Sequence, residues 1–276
     1  MEIKLLDFSS PLWDVYKGAY GSVKEEIELL MKHKPIYTQM KLRRLDARPQ
    51  DDDTIVFCNL SECLSHQMTF YDAIYIALPY VLKLYEQKQA EQDIKWQFLI
   101  LSEIGSCIAT DVLSDKSRAI EKEILDSYAA ALKQFKQKAV SFLTENMQNI
   151  KEMEYYEKIF FCTALTALLG ERETAFCLLC SSWENICTFC DECKKENEEI
   201  YFDEPETLEP ITPAPSVIGQ WDKKSFENTY VWLSNLLYLL GNEKEANMLS
   251  YFYGTYRCSH CGNEKPFFSF IQNYFL

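Results

Sequence analysis

Along most of this chain apolar residues recur at three- and four-residue spacing, a pattern that predicts a string of helices. Ser10 and Pro11 open the first, an N-cap followed by a residue whose missing N–H costs nothing at the first helical position. Leu12, Val15 and Tyr16 line one side of it, and Gly18 and Gly21 end it. Residues 22–25 have the capping-box form, Ser22 with Glu25, and lead a second short helix through Val23, Ile27 and Leu30. Between His33 and Asp53, residues 36–45 read as a helix in a loop-rich surround broken by Pro35, Pro49 and an acidic run. Two helices fit residues 54–85, split near residues 66–69, with Pro79 inside the second removing a ladder bond and predicting a kink. Further helices are expected over 96–112, 119–144, 155–169, 174–186, 225–240 and 243–256.

Helices joined mostly by short connections predict an all-α chain of antiparallel pairs, an α-α superhelix rather than a closed bundle. One helical-repeat domain is expected over 1–276. Its one unusual connection, residues 191–220, is acidic and carries Pro205, Pro210, Pro213 and Pro215. Such a composition reads as a solvated loop with too little apolar surface to order itself, or as an acidic lure for a basic partner.

The chain also repeats itself. A shift of 71 residues aligns Leu165 with Leu236, Leu168, Leu169 and Gly170 with Leu239, Leu240 and Gly241, Ala175 with Ala246, and Leu178 with Leu249. The same shift sets Cys187 on Cys258 and Cys190 on Cys261. Each copy is a helix ended by glycine, a turn, a second helix and a CxxC. Two stacked hairpins of equal length bring both CxxC pairs to one edge, so a clasp joining hairpins 155–190 and 225–261 is expected. Four soft ligands in a tetrahedron suit zinc, and the predicted ligands are Cys187, Cys190, Cys258 and Cys261. Cys193 and His260 lie in the same knuckles and are the candidates to replace one of them. A closed four-cysteine site leaves no position for water or substrate and is structural, one Zn2+ per chain. A redox-active dithiol at either pair is the competing reading.

Composition narrows the class. The 276 residues are 47% hydrophobic and 14% aromatic, with only 8 glycines and 9 prolines, which suits a large helical core and not a turn-dense β-sandwich. A formal charge of -14 repels polyanions, so no nucleic-acid partner is expected. The first residues lack the apolar core of a secretory signal and no stretch reaches about 18 apolar residues. The expected setting is cytoplasmic, without a membrane partner, where the 11 cysteines are ligands or plain core rather than disulfides. Cys58, Cys63, Cys107, Cys162, Cys177 and Cys180 fall mostly at apolar helix positions and read as core.

Catalytic patterns are scarce. Cys63 and His66 would share a helix face, but a buried, hydrogen-bonded histidine explains them without a nucleophile. No phosphate loop, GxGxxG or GxSxG occurs. The aromatic runs 251–256 and 267–275 read as packing of the last hairpin, with a partner groove as the alternative.

Pro11-Leu-Trp13-Asp14 through Ala19-Tyr20-Gly21, His66-Gln67 with Tyr71-Asp-Ala73, Leu78-Pro79-Tyr80, and the late Cys258-Ser-His-Cys261-Gly262 together carry a resemblance. Over residues 11–86 and 155–262 the chain resembles bacterial HEAT-like (armadillo-type) repeat proteins with a C-terminal CxxCG zinc knuckle. The resemblance implies an α-α superhelix used as a binding scaffold, with an immunity role against secreted toxins among its members. The expectation is a non-enzymatic, protein-binding scaffold with a structural zinc site. Its partner is expected to be basic, such as a toxin this chain restrains. The alternatives are a thiol-redox or zinc-dependent enzyme or sensor using the CxxC pairs, and a self-assembling structural protein.

Overall fold

The computed structural model describes residues 3–32, 52–113, 119–181, 186–202 and 204–271. They form a mostly helical protein with ten α-helices and seven very short strands among the described residues. The predicted helix at 36–45 lies outside them. The chain divides into two compact units, Met1–Phe142 and Leu143–Leu276.

The first unit begins with a single 3-10 turn, Pro11–Asp14, where a longer helix was predicted. Ser10 does cap it, its hydroxyl accepting the Leu12 N–H. The turn stops because residues 18–21 form a tight loop in which Gly18 and Gly21 bridge each other. Helix α1 (Lys24–Lys32) comes next, then α2 (Asp52–Leu64), led by two acidic residues that suit the positive end of the helix. The predicted split near 66–69 is a hairpin of β1 (Ser65–His66) and β2 (Thr69–Phe70), with Gln67 and Met68 at positive φ in its turn. Helix α3 (Ala73–Ala90) then runs on through the buried Pro79. Asp93 accepts the Trp96 N–H and so caps α4 (Ile94–Ala109), which ends in a 3-10 turn, Thr110–Leu113. The core is built from Phe57, Leu60 and Leu64 of α2, Ile74, Leu78 and Val81 of α3, and Ile100, Ile104 and Ile108 of α4. Helix α5 (Lys122–Lys151) adds Phe135 and Phe142, and its backbone departs from helical angles at Asn146.

The second unit holds two helical hairpins: α6 (Tyr155–Leu168) with α7 (Arg172–Ser181), and α8 (Thr229–Leu239) with α9 (Glu243–Phe252). Their turns share hydrogen bonds at the 71-residue shift. Gly170 N–H donates to Ala167 O as Gly241 N–H does to Tyr238 O, and Glu171 N–H to Thr166 O as Asn242 N–H to Leu237 O. Both glycines take positive φ, +104° and +83°, the left-handed C-terminal position that glycine fills without penalty. Helix α6 packs on α8, and α7 on α9.

Past α7 the structure departs from the prediction. Helix α7 is described to Ser181, and Ile186 pairs with Ile200 in extended conformation where the helix was expected to reach. Two strands lie between them, β3 (Phe189–Cys190) and β4 (Lys195–Glu196). The acidic segment is not a bare solvated loop: it turns through Pro205–Leu208, and β5 (Ile211–Thr212) joins a three-stranded sheet with β6 (Thr255–Arg257) and β7 (Glu264–Pro266). Ile200 and Ile211 supply the apolar anchors that its acidic composition hides. Helix α9 ends at Phe252, four residues before its predicted end, because 255–257 pair as β6. The four-residue α10 (Phe268–Ile271) closes the described chain, and Phe252, Tyr256, Phe267 and Phe270 are buried together.

Candidate metal centre

Four sulfurs, those of Cys190, Cys193, Cys258 and Cys261, lie within 4.8 Å of one another. Two knuckles present them. Cys190 ends β3 and Cys193 stands in the turn to β4, with Lys194 at positive φ. Cys258 comes directly after β6 and Cys261 stands in the turn before β7, with Gly262 at positive φ, +72°. In each knuckle the residue after the second cysteine is left-handed, which folds the chain back over both sulfurs. In the second, Cys258 N–H donates to Asn263 O and Gly262 N–H to Cys258 O, both at 2.9 Å.

Two sulfur pairs cross between knuckles: Cys190 Sγ to Cys261 Sγ is 3.7 Å and Cys193 Sγ to Cys258 Sγ is 3.8 Å. A disulfide needs about 2.05 Å. A tetrahedron of sulfurs about 2.3 Å from a central ion has edges of about 3.8 Å. The four cysteines could therefore bind one metal ion with all of its positions filled by sulfur. Cys190 and Cys258 are 1% exposed, so half of the cluster is sealed by protein.

Polar ties hold the knuckles to each other. Asn197 Oδ1 accepts from both the N–H and the hydroxyl of Ser259, each at 3.2 Å. His260 Nε2 lies 2.8 Å from Glu196 O, and Lys265 Nζ donates to Glu192 at 2.7 Å. His260 thus has its ring nitrogen on a backbone carbonyl, and the four-sulfur group does not include it. The Lys265–Glu192 ion pair draws the Glu192 carboxyl below its usual range and raises Lys265.

The thiols divide one another's protons. Burial pushes Cys258 upward, but the backbone N–H groups of Cys261 and His260 and the neighbouring thiols outweigh it and bring it down to about 7. Burial and then hydrogen bonds to Cys190, Cys258 and Cys261 push Cys193 up to about 12. Cys261 receives the Asn263 N–H, which lowers it, yet burial and its thiol neighbours leave it raised. Ligation of a divalent cation would require all four thiols to give up their protons.

Three of the four predicted ligands, Cys190, Cys258 and Cys261, come together, and Cys193 stands where Cys187 was expected. The cause is parity. Residues 186–190 are extended, with Ile186, Thr188 and Cys190 buried and Cys187 and Phe189 half-exposed between them. In a strand, side chains three apart point to opposite faces, so a CxxC lying in a strand cannot converge on one ion. Cys187 Sγ instead lies 4.0 Å from Glu199 Oε1. The link from helix to knuckle is three residues longer in the first copy, so the alignment that fits the helices misplaces the cysteines. A signal was present: Thr188 and Phe189 favour strands, whereas Asp191 and Glu192 favour a polar turn.

Of the remaining cysteines, Cys58, Cys63, Cys107, Cys162 and Cys177 are buried, and burial raises the Cys162 thiol strongly. The side chain of Cys180 lies outside the described residues. His66 is held by Glu62, Nδ1 to Oε1 at 2.5 Å, with the Tyr20 hydroxyl beside the ring. His33 also lies outside the described residues. Among the described residues no helix is long and apolar enough to cross a membrane. No protein family model, no curated protein and no solved structure matches the chain.

Proposed function

We propose that this chain is a non-enzymatic scaffold for a protein partner, an α-α superhelix of helical pairs whose second unit is clasped by one structural zinc ion on Cys190, Cys193, Cys258 and Cys261. The closed four-sulfur set carries the reading. Among the described residues it is the only group of three or more His, Cys, Asp or Glu side chains gathered closely enough to hold a metal. All four of its positions are taken by protein, which favours a structural ion over a catalytic one. Thiolate ligation favours zinc over harder divalent ions. In small zinc domains such a site contributes about 10 to 16 kcal/mol of apparent binding energy, enough to order two knuckles that have few apolar residues of their own. A chain of charge -14 attracts basic surfaces, so the partner is a basic protein, and an immunity-type restraint of a basic toxin fits that charge.

Metal analysis and thiol titration of freshly reduced, chelator-free protein test the clasp. One zinc per chain, with four thiols silent until a chelator is added, supports it. A metal-free protein with a fast-reacting thiol pair would favour the redox reading instead. Partner capture at low and high salt tests the electrostatic part, because a charge-driven complex dissociates as screening increases. Recovery of salt-resistant apolar partners alone, or of none, counts against it.

A further inference from the structure

The four sulfurs that face one another are not equally open to solvent. Cys261 is exposed and Cys193 half-exposed, whereas Cys190 and Cys258 are each 1% exposed. Two thiol–thiol contacts each join a more open cysteine to a buried one on the other knuckle: Cys261 to Cys190 at 3.7 Å, and Cys193 to Cys258 at 3.8 Å. Together these two pairs use all four cysteines and leave none over. The knuckles are also tied by contacts that involve no sulfur, from Ser259 to Asn197, from Lys265 to Glu192 and between the His260 ring and Glu196 O. Such ties keep the sulfurs opposed while they react. An accessible thiolate with a second thiol in contact is the arrangement that a hydroperoxide converts to a disulfide.

We propose that the four cysteines are also an oxidation site for hydroperoxides, in which Cys261 is attacked first and Cys190 resolves it, and that two disulfides between the knuckles, Cys190–Cys261 and Cys193–Cys258, replace the metal as the clasp. The Cys261 thiolate attacks one peroxide oxygen; the O–O bond breaks, hydroxide leaves and Cys261 becomes a sulfenic acid. The Cys190 thiolate then attacks the Cys261 sulfur, the S–O bond breaks and a second hydroxide leaves. Two thiolates are thereby oxidised to one disulfide, and one peroxide is reduced to two hydroxides. Cys193 and Cys258 repeat the sequence with a second peroxide. Sulfurs tied up in disulfides no longer ligate a divalent ion, since ligation needs thiolates. A disulfide inside one knuckle would leave it unattached to the other, whereas the crossed pairs keep residues 186–202 on residues 255–267. The exchange of metal for disulfides rests on the four-cysteine reading above; the oxidation itself rests on the placement of the sulfurs.

The experiment treats the full chain, both zinc-loaded and chelator-stripped, with hydrogen peroxide. It reads zinc release with a coloured chelator, disulfide pairing by peptide mapping, and hydrogen exchange of residues 186–202 and 255–267. The expected disulfides are Cys190–Cys261 and Cys193–Cys258, with two peroxides consumed per zinc released and with both segments better protected than in the reduced, chelated chain. Disulfides inside a knuckle, Cys190–Cys193 or Cys258–Cys261, overturn the proposal, and so do sulfurs that stay reduced or pass to sulfinic acid unpaired. Exchange as fast as in the chelated chain overturns the replacement of the clasp. In Cys190→Ser the resolving thiol is gone, so dimedone is expected to trap Cys261 as its sulfenic acid; trapping of Cys193 in its place overturns the order of attack. Zinc content before oxidation tests the metal reading by itself. A chain that holds no zinc yet forms both crossed disulfides refutes that reading and upholds the oxidation site.

Discussion

Two residues of the same type in the same ten-residue stretch have different fates because of backbone conformation alone. Cys187 stands in an extended segment on the face opposite Cys190, whereas Cys193 stands in the turn that brings it back to Cys190. Cys193→Ser is accordingly expected to abolish stoichiometric metal retention, and Cys187→Ser to leave it intact, as read by metal analysis after gel filtration. Retention of one ion by Cys193→Ser would refute that assignment. Close backbone approach makes a second residue-scale test. A Cβ on Gly254 would lie 2.4 Å from Thr212 O, where β5 pairs with β6 beside the end of α9. Because the obstacle is backbone, Gly254→Ala should cost about 1 to 3 kcal/mol in urea unfolding. A change below about 0.5 kcal/mol would mean that β5 yields freely.

At the scale of elements, α7 and α9 match end for end at the 71-residue shift, α6 and α8 share their C-terminal ends, Leu168 and Leu239, and the turn hydrogen bonds, and the copies differ in the segments beyond α7 and α9. The last part of the acidic segment, at Val217 and Gly219, is tied to α8 by one buried side chain of that helix. Asn235 Oδ1 accepts the Gly219 N–H at 2.6 Å, and its Nδ2 bonds Val217 O and Val231 O at 2.9 and 2.7 Å. Asn235 is 5% exposed, so removing its amide strands the polar groups it satisfies. Asn235→Ala should lower stability by about 2 kcal/mol and speed amide exchange of Gly219, measured by hydrogen exchange. Normal protection at Gly219 would show that the segment is anchored elsewhere.

For the whole molecule, the two compact units are expected to respond differently to loss of a metal held by the four cysteines. All four sulfurs belong to the second unit, on segments separated in sequence by α8 and α9. A strong chelator at neutral pH is expected to increase hydrogen exchange across residues 186–202 and 255–267 while α3 and α4 of the first unit keep their protection. Acidification should act like the chelator, because ligation requires thiolates and a falling pH returns protons to them. The sign is fixed: metal-linked stability is present at neutral and higher pH and is lost as pH falls. Loss of protection in α3 and α4 at the same chelator concentration would contradict this.

Helical character, the glycine-ended hairpins and the role of Gly170 and Gly241 were legible in the chain, because helical periodicity and C-terminal glycines act within a few residues of themselves. The buried cysteines of helix faces were legible for the same reason. The acidic segment was misjudged because its order comes from Ile200, Ile211 and Asn235, partners whose contribution depends on what packs against them and not on local composition. Of the four cysteines that come together, three were legible. Three cysteines in series offer two overlapping CxxC pairs, and nothing in their spacing says which pair lies in a turn. That was decided by the tertiary structure: pairing of Ile186 with Ile200 makes Cys187 part of a strand, and the turn of the knuckle passes to Cys190 and Cys193. Spacing fixes how far apart two sulfurs are along the chain, but only the path of the backbone decides whether they face the same point.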